Sequence, residues 1–493
     1  MTVSMGAVRS AGGAAKYFAS DNYYTAQQSE AASEWYGGGA GELGLAGAVD
    51  RSDFENLLGG KLPGGKQVGE EENRAHGTDF TFSMPKSASL LAYVSGDKRL
   101  LAANMAAVKE TMAWAEANLA EARIKKDGKA IPIRTGNLVY ALFPHDTSRS
   151  LDPQAHIHAV VANLTRLPKQ FRNPDRLGAN GEVIRDDGWR AWHNGEMWKA
   201  NAVLAAIYHS ALRDKIEQLG YTTRLEGKHG AFEIVGVNRE AIDGFSKRRE
   251  DIKAKAEALG IKSREGLLEV TLRTRDPKLD AGDRTALGAR WREEAKSYDY
   301  NGDKVYAASL DRSRERSGMI ERGAIAVGAA VVDARTRLVD FLRRPHDPLV
   351  DQGLTRITLL PSTARTQFAV ASAIRILAER EAAFRSNDVL KTALNLGLKG
   401  VTHEKVERRM AQLAEKGELI PEKSERYDRA IDLVTTREAL RQERRILLAM
   451  DAGVGKARPP DAGRCRGRPT SGARRGADAQ SRATVGGDPD GVV

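Results

Sequence analysis

The sequence contains very little cysteine and no long apolar run. Cys465 is the single cysteine among 493 residues, which excludes a disulfide framework and any cysteine-rich zinc module. No stretch approaches the roughly 18 consecutive apolar residues that span a bilayer, and the N-terminal segment lacks the apolar centre of a signal peptide. These absences predict a soluble, cytoplasmic protein that does not insert into membranes.

The charge balance of the chain is basic. Lys and Arg number 77 against 66 Asp and Glu, and the sequence pI is about 9.5. A basic chain favours a polyanionic partner such as nucleic acid, although many basic proteins bind none. A chain of this length predicts two or three domains, because a single hydrophobic core rarely extends so far.

The first 300 residues have the pattern of a sheet packed with helices. Three short strands are predicted, at 78–82, 137–143 and 156–163. Apolar residues at helical spacing predict one helix over 99–123 and another over 193–219. Asp127-Gly128 predicts a tight hairpin turn. The predicted fold class is therefore α/β in the α+β sense, with a sheet and flanking helices.

Composition divides the chain into four regions. Residues 1–300 are expected to form the first domain, and the weak pattern of 301–365 predicts a linker. Between 366 and 450, three short amphipathic helices followed by a hairpin-like segment predict a helical, winged-helix-like module. Residues 451–493 carry hardly any apolar side chains, so a disordered basic tail is expected there.

Three of the nine histidines fall within a short stretch. His156 and His158 are one residue apart in a predicted strand, so their imidazoles project from the same face. His145 follows the preceding strand and can reach the same point if the two strands pair. Three imidazoles would leave open positions on a metal ion for a substrate oxygen. Alternatively, these histidines only form hydrogen bonds in a partly buried sheet, and spacing alone does not decide between the two interpretations.

Tyrosines near the N-terminus and one aspartate are further candidates for chemistry. Tyr17, Tyr23 and Tyr24 lie in a polar segment without helical or strand periodicity, which predicts exposed hydroxyls. A tyrosine nucleophile needs a base or nearby positive charge, because its ordinary pKa is about 10. Asp79 shares a strand face with Thr81 and could point into a site. Simple packing of the aromatics and an exposed strand aspartate are the alternatives.

Several of these segments, in order, resemble the MobF-class (TrwC/TraI-type) conjugative relaxases of the histidine-hydrophobe-histidine endonuclease superfamily. They are KYFASDNYY, SEWYGGGAGELGLAGAVD, GTDFTFSMPKSASLL, TGNLVYALFPHDTSRSLDPQAHIHAVVANLTR and GYTTRLEGKHGAFEI, which together span roughly residues 1–300. A histidine pair alone recurs by chance, whereas HDTSR before DPQAHIHAVVAN with tyrosines upstream is specific. The resemblance favours the metal-binding interpretation of the histidines.

The resemblance implies a central antiparallel sheet and a metal-assisted tyrosine transesterification. His145, His156 and His158 would bind the cation, and Tyr17 would attack the DNA. Asp79 would accept or orient the tyrosine proton and orient a histidine. Relaxases of this class commonly carry two tyrosine pairs, but the first pair here reads Tyr17-Phe18. A second transesterification by the same molecule would therefore use one of Tyr23 and Tyr24.

The implied product is a 5′-phosphotyrosine link to nicked plasmid DNA at an origin of transfer. The implied partners are single-stranded DNA at the nick site, other relaxosome proteins and coupling proteins of type IV secretion. Three tryptophans, Trp189, Trp192 and Trp198, could stack on bases, or they could simply pack in helices. Phosphoryl chemistry favours Mg²⁺ or Mn²⁺ as the divalent cofactor, whereas imidazole ligands accept zinc, nickel or copper as well.

Two other functions are compatible with parts of the pattern. A rolling-circle replication initiator of the same superfamily is disfavoured, because such initiators place the tyrosine after the histidines. A catalytically inactive DNA-binding protein is the non-enzymatic alternative. No GxxxxGK[ST] loop for ATP phosphates occurs, and Gly455-Lys456 is followed by Ala457. We therefore expect a truncated or frame-shifted relaxase whose helicase part is missing.

Overall fold

A five-stranded antiparallel sheet forms the centre of the N-terminal part in the computed structural model. Its strands are β1 (Thr2–Val8), β2 (Glu34–Tyr36), β3 (Gly77–Ser83), β6 (Tyr140–Thr147) and β7 (Pro153–Ala162). They lie in the order β1-β3-β7-β6-β2, and every neighbouring pair is antiparallel. The predicted fold class, a central antiparallel sheet flanked by helices, is confirmed.

The structure describes a defined set of residues. These are 2–21, 33–70, 74–173, 176–177, 183–184, 186–227, 229–261, 263, 266, 270, 283–321, 347–351, 359–426 and 429–453. The contacts group Met1–Leu440 in one compact unit and Arg441–Val493 in a second. In the second unit, residues 441–453 belong to a helix that begins at Arg437, and the rest of the predicted tail lies outside the described residues.

One face of the sheet, here called the α1 face, is covered by α1 (Ala11–Asp21) and α3 (Arg51–Leu58). The short helix α2 (Gly38–Glu42) precedes α3. Phe18 of α1 and Phe54 of α3 pack on Phe143 of β6. Because side chains alternate along a strand, every second residue of β3, β6 and β7 points to this layer.

The opposite face, here called the α5 face, is buried under three helices. These are α4 (Lys86–Tyr93), α5 (Arg99–Leu119) and α7 (Asn201–Gln218). Phe80 and Phe82 of β3 are fully buried there. Asp79 and Thr81 alternate with them, point to the α1 face and are only half-buried. The predicted division of this strand into an apolar and a polar face is therefore confirmed.

The limits of several predicted elements were wrong. His145, expected after its strand, lies inside β6, and β7 begins at Pro153. Backbone hydrogen bonds carry a strand pair beyond its apolar run, so apolar pattern alone ended the strand too early. The second predicted helix is interrupted at Ala200 into α6 (Gly195–Lys199) and α7.

The predicted hairpin turn at Asp127-Gly128 is confirmed. It joins β4 (Glu121–Lys126) to β5 (Lys129–Arg134). Asp127 has φ of 51° and Gly128 has φ of 77°. Two successive residues with positive φ form the turn whose twist matches the flanking strands.

Short strands and four helices follow the central sheet. They are β8 (Thr165–Arg166), β9 (Arg176–Leu177), β10 (Val183–Ile184), β11 (Trp189–Arg190), β12 (Thr223–Leu225), β13 (Phe232–Ile234), α8 (Arg239–Gly244), α9 (Lys247–Ala258), α10 (Arg284–Lys296) and α11 (Gly302–Glu321). Helix α11 falls where a linker was expected. Arg312 donates to the carbonyl of Gly220 at 2.6 Å, so this helix packs on the preceding region.

The module after residue 359 has the element order of a winged helix. Its elements are α12 (Pro361–Ala378), β14 (Ala383–Arg385), α13 (Ser386–Asn395), α14 (His403–Glu415), β15 (Leu419–Arg426) and β16 (Arg429–Thr436). The strands form a sheet in the order β14-β16-β15. The chain then continues as α15 (Arg437–Gly453). The predicted winged-helix-like arrangement is confirmed.

Helix α14 of this module packs on the helices of the α5 face. Trp114 of α5 donates to Glu407 of α14 at 2.7 Å. The hydroxyl of Ser210 on α7 donates to the carbonyl of Val401 at 2.7 Å. The winged helix therefore rests on the side of the sheet opposite the α1 face. Within the described residues, no helix combines the length and the apolar character that crossing a membrane requires.

Buried His209 makes the stability of the fold depend on pH. Burial lowers the pKa of His209 on α7 from 6.5 to about 3, despite its hydrogen bond to the carbonyl of His229. Below pH 6.5 the unfolded chain binds a proton at this histidine that the folded chain does not. The free energy of unfolding therefore decreases as the pH is lowered. When the pH is lowered from 7 to 5, the free energy of unfolding measured with urea should decrease by about 2 kcal/mol more in wild type than in His209→Gln. Equal losses in the two proteins would contradict a neutral, buried His209.

Candidate active site

Three histidines lie together on the α1 face, where β6 and β7 pair. His145 is the direct cross-strand neighbour of His156, and His158 lies two residues further along the same strand. The ring centroids are 4.7 Å apart for His145 and His158, 5.1 Å for His145 and His156, and 5.2 Å for His156 and His158. One nitrogen from each ring lies within 4.8 Å of the others. The structure thus brings the three predicted ligands together.

Hydrogen bonds orient two of these rings. Nδ1 of His158 lies 2.9 Å from both carboxylate oxygens of Asp79 and 3.3 Å from the hydroxyl of Thr81. Nδ1 of His156 lies 2.9 Å from the carbonyl of Gln154. Because a carbonyl and an ionised carboxylate can only accept, Nδ1 carries the proton in both rings. In the neutral form of such a ring, Nε2 keeps the lone pair that a metal ion needs.

The three imidazoles fit a divalent cation. Two nitrogens bound to one ion at about 2.1 Å can be no more than about 4.2 Å apart. The separations of up to 4.8 Å need only small rotations of the rings to reach that limit. Three neutral nitrogen donors also leave coordination positions open for substrate oxygens. The chemistry of the donors and their geometry agree on a metal site.

Tyr17 of α1 lies beside the histidines. Its ring centroid is 6.1 Å from that of His145 and 6.4 Å from that of His158. The tyrosine is half-buried, so its ring is held against the sheet while part of it faces solvent. A phenol in this place can meet a phosphate that also reaches the histidines.

Phe18, where the resemblance leads one to expect a second tyrosine, is a core residue. It is 4% exposed and stacks on Phe143 with a centroid distance of 4.9 Å. Its ring also lies 5.1 Å from that of His158. Phe18 therefore fixes α1 on the sheet and forms an apolar floor beside the histidines, and it offers no second hydroxyl.

The remaining predicted residues have different outcomes. Tyr23 and Tyr24 lie outside the described residues. Trp189 and Trp192 are buried at 6% and 5% exposure, so packing is their role in this structure, whereas Trp198 is 40% exposed. Asp79, for which an exposed strand position was the alternative, is the hydrogen-bond partner of His158.

Sequence reasoning missed two contributors to the site. The carbonyl of Gln154 orients His156, and Phe143 supports Phe18. No sequence signal indicates the contact with Gln154, because it uses a backbone carbonyl that any residue at this position would offer. The role of Phe143 depends on packing with α1, which is distant in sequence, and no local pattern indicates it.

Three imidazoles converge on one point of an antiparallel sheet, with a carboxylate that orients one of them and a tyrosine on the adjacent helix. This is the arrangement that the sequence resemblance implies for a histidine-hydrophobe-histidine nuclease. Residues 11–298 match the family model for the TrwC relaxase. The chain belongs to the TrwC relaxase family, and this membership confirms the resemblance to MobF-class relaxases.

Two relatives from Escherichia coli bear the name multifunctional conjugation protein TraI. One is 34% identical over 430 residues, and the protein of strain K12 is 33% identical over 435 residues. Each comparison covers 85% of this chain and 21% of the relative. The chain thus spans about a fifth of the length of these relatives.

Solved structures of the conjugative relaxase TrwC are similar in fold and sequence. A copper-bound complex with origin-of-transfer DNA is 37% identical with a TM-score of 0.53, and a further metal-bound complex is 37% identical with a TM-score of 0.52. A complex with a 27-mer DNA comprising the recognition hairpin and cleavage site is 36% identical with a TM-score of 0.51. Each comparison covers 61% of this chain and 99% of the TrwC chain.

Proposed function

We propose that this chain cuts one strand of plasmid DNA at an origin of transfer and stays attached to the new 5′ end through Tyr17. The observation that carries the proposal is the place of Tyr17 beside His145 and His158. The named relatives are conjugation proteins, and TrwC has been solved with origin-of-transfer DNA. A denaturing gel that detects a covalent adduct between the chain and single-stranded origin DNA tests the proposal.

The proposed reaction is a transesterification. The phenolic oxygen of Tyr17 forms a bond to phosphorus, and the bond from phosphorus to the 3′ oxygen breaks. The phenol gives up its proton and the leaving 3′ oxygen takes one up, so the products are a 5′-phosphotyrosine and a free 3′ hydroxyl. Because no water is consumed, a later 3′ hydroxyl can attack the link and reseal the strand without ATP.

The residues around Tyr17 prepare it for this attack. A divalent cation held by His145, His156 and His158 would supply positive charge to a non-bridging phosphate oxygen and to the developing phenolate. Asp79 holds the ring of His158 with its Nε2 available. We propose that the apolar floor formed by Phe18 beside the histidines limits access of water to the phosphate, which would favour tyrosine over water as the nucleophile.

The proposed cation in cells is Mg²⁺ or Mn²⁺, as phosphoryl chemistry favours. The donor set itself has no carboxylate ligand among His145, His156 and His158, and three imidazoles also accept zinc, nickel and copper. A TrwC relative is described as copper-bound. Adduct formation titrated against each ion, on chain freed of metal by a chelator, identifies the ion that supports the reaction.

Removal of the Asp79 carboxylate should weaken the site without removing a proposed ligand. In Asp79→Ala, Nδ1 of His158 loses its carboxylate acceptor and keeps only the Thr81 hydroxyl, 3.3 Å away, so the ring and its tautomer are held less firmly. Loss of such a partner typically costs 10–100-fold in metal affinity, so we expect about this loss in calorimetric titration with Mn²⁺. Exposed Asp53 of α3 gives the control variant, Asp53→Ala. Unchanged affinity in Asp79→Ala would mean that the carboxylate does not act through His158.

The proposed substrate is single-stranded DNA at the nick, and the proposed partners are relaxosome and secretion-coupling proteins. A second strand cleavage by the same molecule, at the end of transfer, would need another tyrosine hydroxyl. We propose Tyr23 or Tyr24 for this step, since Phe18 provides none.

We also propose that this chain does not drive unwinding with ATP. Its sequence has no GxxxxGK[ST] segment to hold ATP phosphates. With single-stranded DNA present, a coupled assay should show phosphate release no faster than the background without protein. DNA-stimulated turnover by the purified chain would refute the proposal.

A further inference from the structure

The loop 148–152 connects β6 to β7 and so links His145 to His156. Within it, the hydroxyl of Ser148 accepts from the backbone amides of Ser150 at 3.2 Å and Asp152 at 3.1 Å. Leu151 has φ of 58°. A left-handed conformation is strained for a branched side chain and persists only where the surroundings hold it.

The ladder between the two strands is irregular close to His145. The regular register ends with the pair of His145 and His156 and shifts before the pair of Thr147 and Pro153, as at a β-bulge, with the additional residue on β7. A bulge leaves a residue outside the ladder and re-aims the side chains around it. The position of the His145 ring therefore depends on what holds the bulge and the loop.

Helix α10 donates two hydrogen bonds that hold the loop and the adjoining end of β6. Arg284 donates to the carboxylate of Asp146, the residue after His145, at 2.8 Å. The indole nitrogen of Trp291 donates to the carbonyl of strained Leu151 at 2.8 Å. Trp291 is 4% exposed, so this second bond lies in the core.

The other end of the loop is held from α9 and α4. Asp152 is almost fully buried and accepts from the backbone amide of Lys247 at 3.1 Å. The Lys247 ammonium lies 3.4 Å from the same carboxylate. Lys86 of α4 donates to the carbonyl of Pro153, the first residue of β7, at 3.0 Å. With this end fixed, the bond from Arg284 to Asp146 sets where the β6 end of the loop lies, and the bond from Trp291 holds Leu151 between the two ends.

We propose that Arg284 and Trp291 are positioning residues that set the distance between His145 and His156, and thereby the affinity of the site for its cation. This inference rests on the proposed function. Arg284 is 138 residues from Asp146 in sequence, and Trp291 is 140 residues from Leu151. The bonds of Arg284 to Asp146 and of Trp291 to Leu151 both reach the histidines through the loop and its strand ends.

The test uses the full chain with Arg284→Met and Trp291→Phe. Each change removes a donor to the loop and keeps much of the side-chain volume. Calorimetric titration with Mn²⁺ should show affinity at least about tenfold weaker in each variant, as for other outer partners of metal ligands. Arg284→Lys, which keeps the charge, should recover part of the affinity. Matched controls are Arg290→Met, exposed on the same helix, and Trp198→Phe, at a largely exposed tryptophan.

A second measurement separates positioning from general destabilisation. Saturating Mn²⁺ should restore the rate of adduct formation in Arg284→Met, because the chemistry itself is intact once the ion is bound. Metal affinity within twofold of wild type in both variants, with thermal melting confirming that they are folded, would overturn the inference. A wild-type chain that neither binds the ion nor forms an adduct would instead contradict the proposed function.

Discussion

The Tyr17→Phe variant is expected to form no covalent adduct with single-stranded origin DNA. The substitution removes the hydroxyl oxygen that would bond to phosphorus in the proposed reaction and leaves the ring beside His145 and His158. Loss of a nucleophile typically lowers a rate by about 10⁴-fold or more, so no adduct band should appear on a denaturing gel. In a mobility-shift assay the same variant should still bind the DNA, because the remainder of the site is intact.

Tyr36→Phe provides the matched control. Tyr36 lies on β2 and donates to Glu34 at 3.0 Å, and its ring packs with the core of the α5 face. This variant should form the adduct at the wild-type rate. Adduct formation at the wild-type rate in Tyr17→Phe would mean that another tyrosine makes the first cut, and Tyr23 and Tyr24 would be substituted next. A folded, metal-bound wild type without any adduct would favour the inactive DNA-binding alternative.

The His156→Ala variant is expected to lose both metal binding and strand cleavage. The substitution removes one of three proposed ligands. Mutation of a residue that only orients a ligand already lowers metal affinity by about 10–100-fold, so we expect the affinity for Mn²⁺ to fall by more than about 100-fold. Calorimetry measures this loss, and the adduct assay should show no product at Mn²⁺ concentrations that saturate wild type. Folding should be retained, because the half-buried ring contributes little to the core.

His193→Ala is the control for this change. His193 is also half-buried, but it does not belong to the histidine group that could hold an ion. Its substitution should leave metal affinity near the wild-type value. Equal losses in both variants would indicate a general effect on folding, and wild-type affinity in His156→Ala would remove the metal site from the proposal.

The parts of the site that could be predicted from sequence depend on local geometry. The period of two along a strand places His156 and His158 on one face and separates Asp79 from Phe80, and the structure has both arrangements. The turn at Asp127-Gly128 was equally local, since it follows from backbone preferences of those two residues. In each case the deciding interaction lies within a few residues of chain.

The features that sequence did not reveal depend on distant contacts. Helix α1 was not predicted, because the segment around Tyr17 shows no helical periodicity, and Gly12 and Gly13 also disfavour a helix. In the structure Ala15 and Phe18 pack on the sheet and stabilise it. That packing places Tyr17. The helix α11 was expected to be a linker for the same reason, since it is held by contacts such as that of Arg312 with Gly220.

The cross-strand pairing of His145 with His156 makes the cation a reporter of correct strand alignment during folding. If β6 slipped by one residue against β7, His145 would turn into the layer of α5 and α7, and the triad would not exist. A refolding intermediate with native helix and strand content but shifted alignment would therefore be spectroscopically similar to the native state and unable to take up metal. After dilution from denaturant, the rate at which cation binding recovers would give the rate at which the sheet reaches its final alignment.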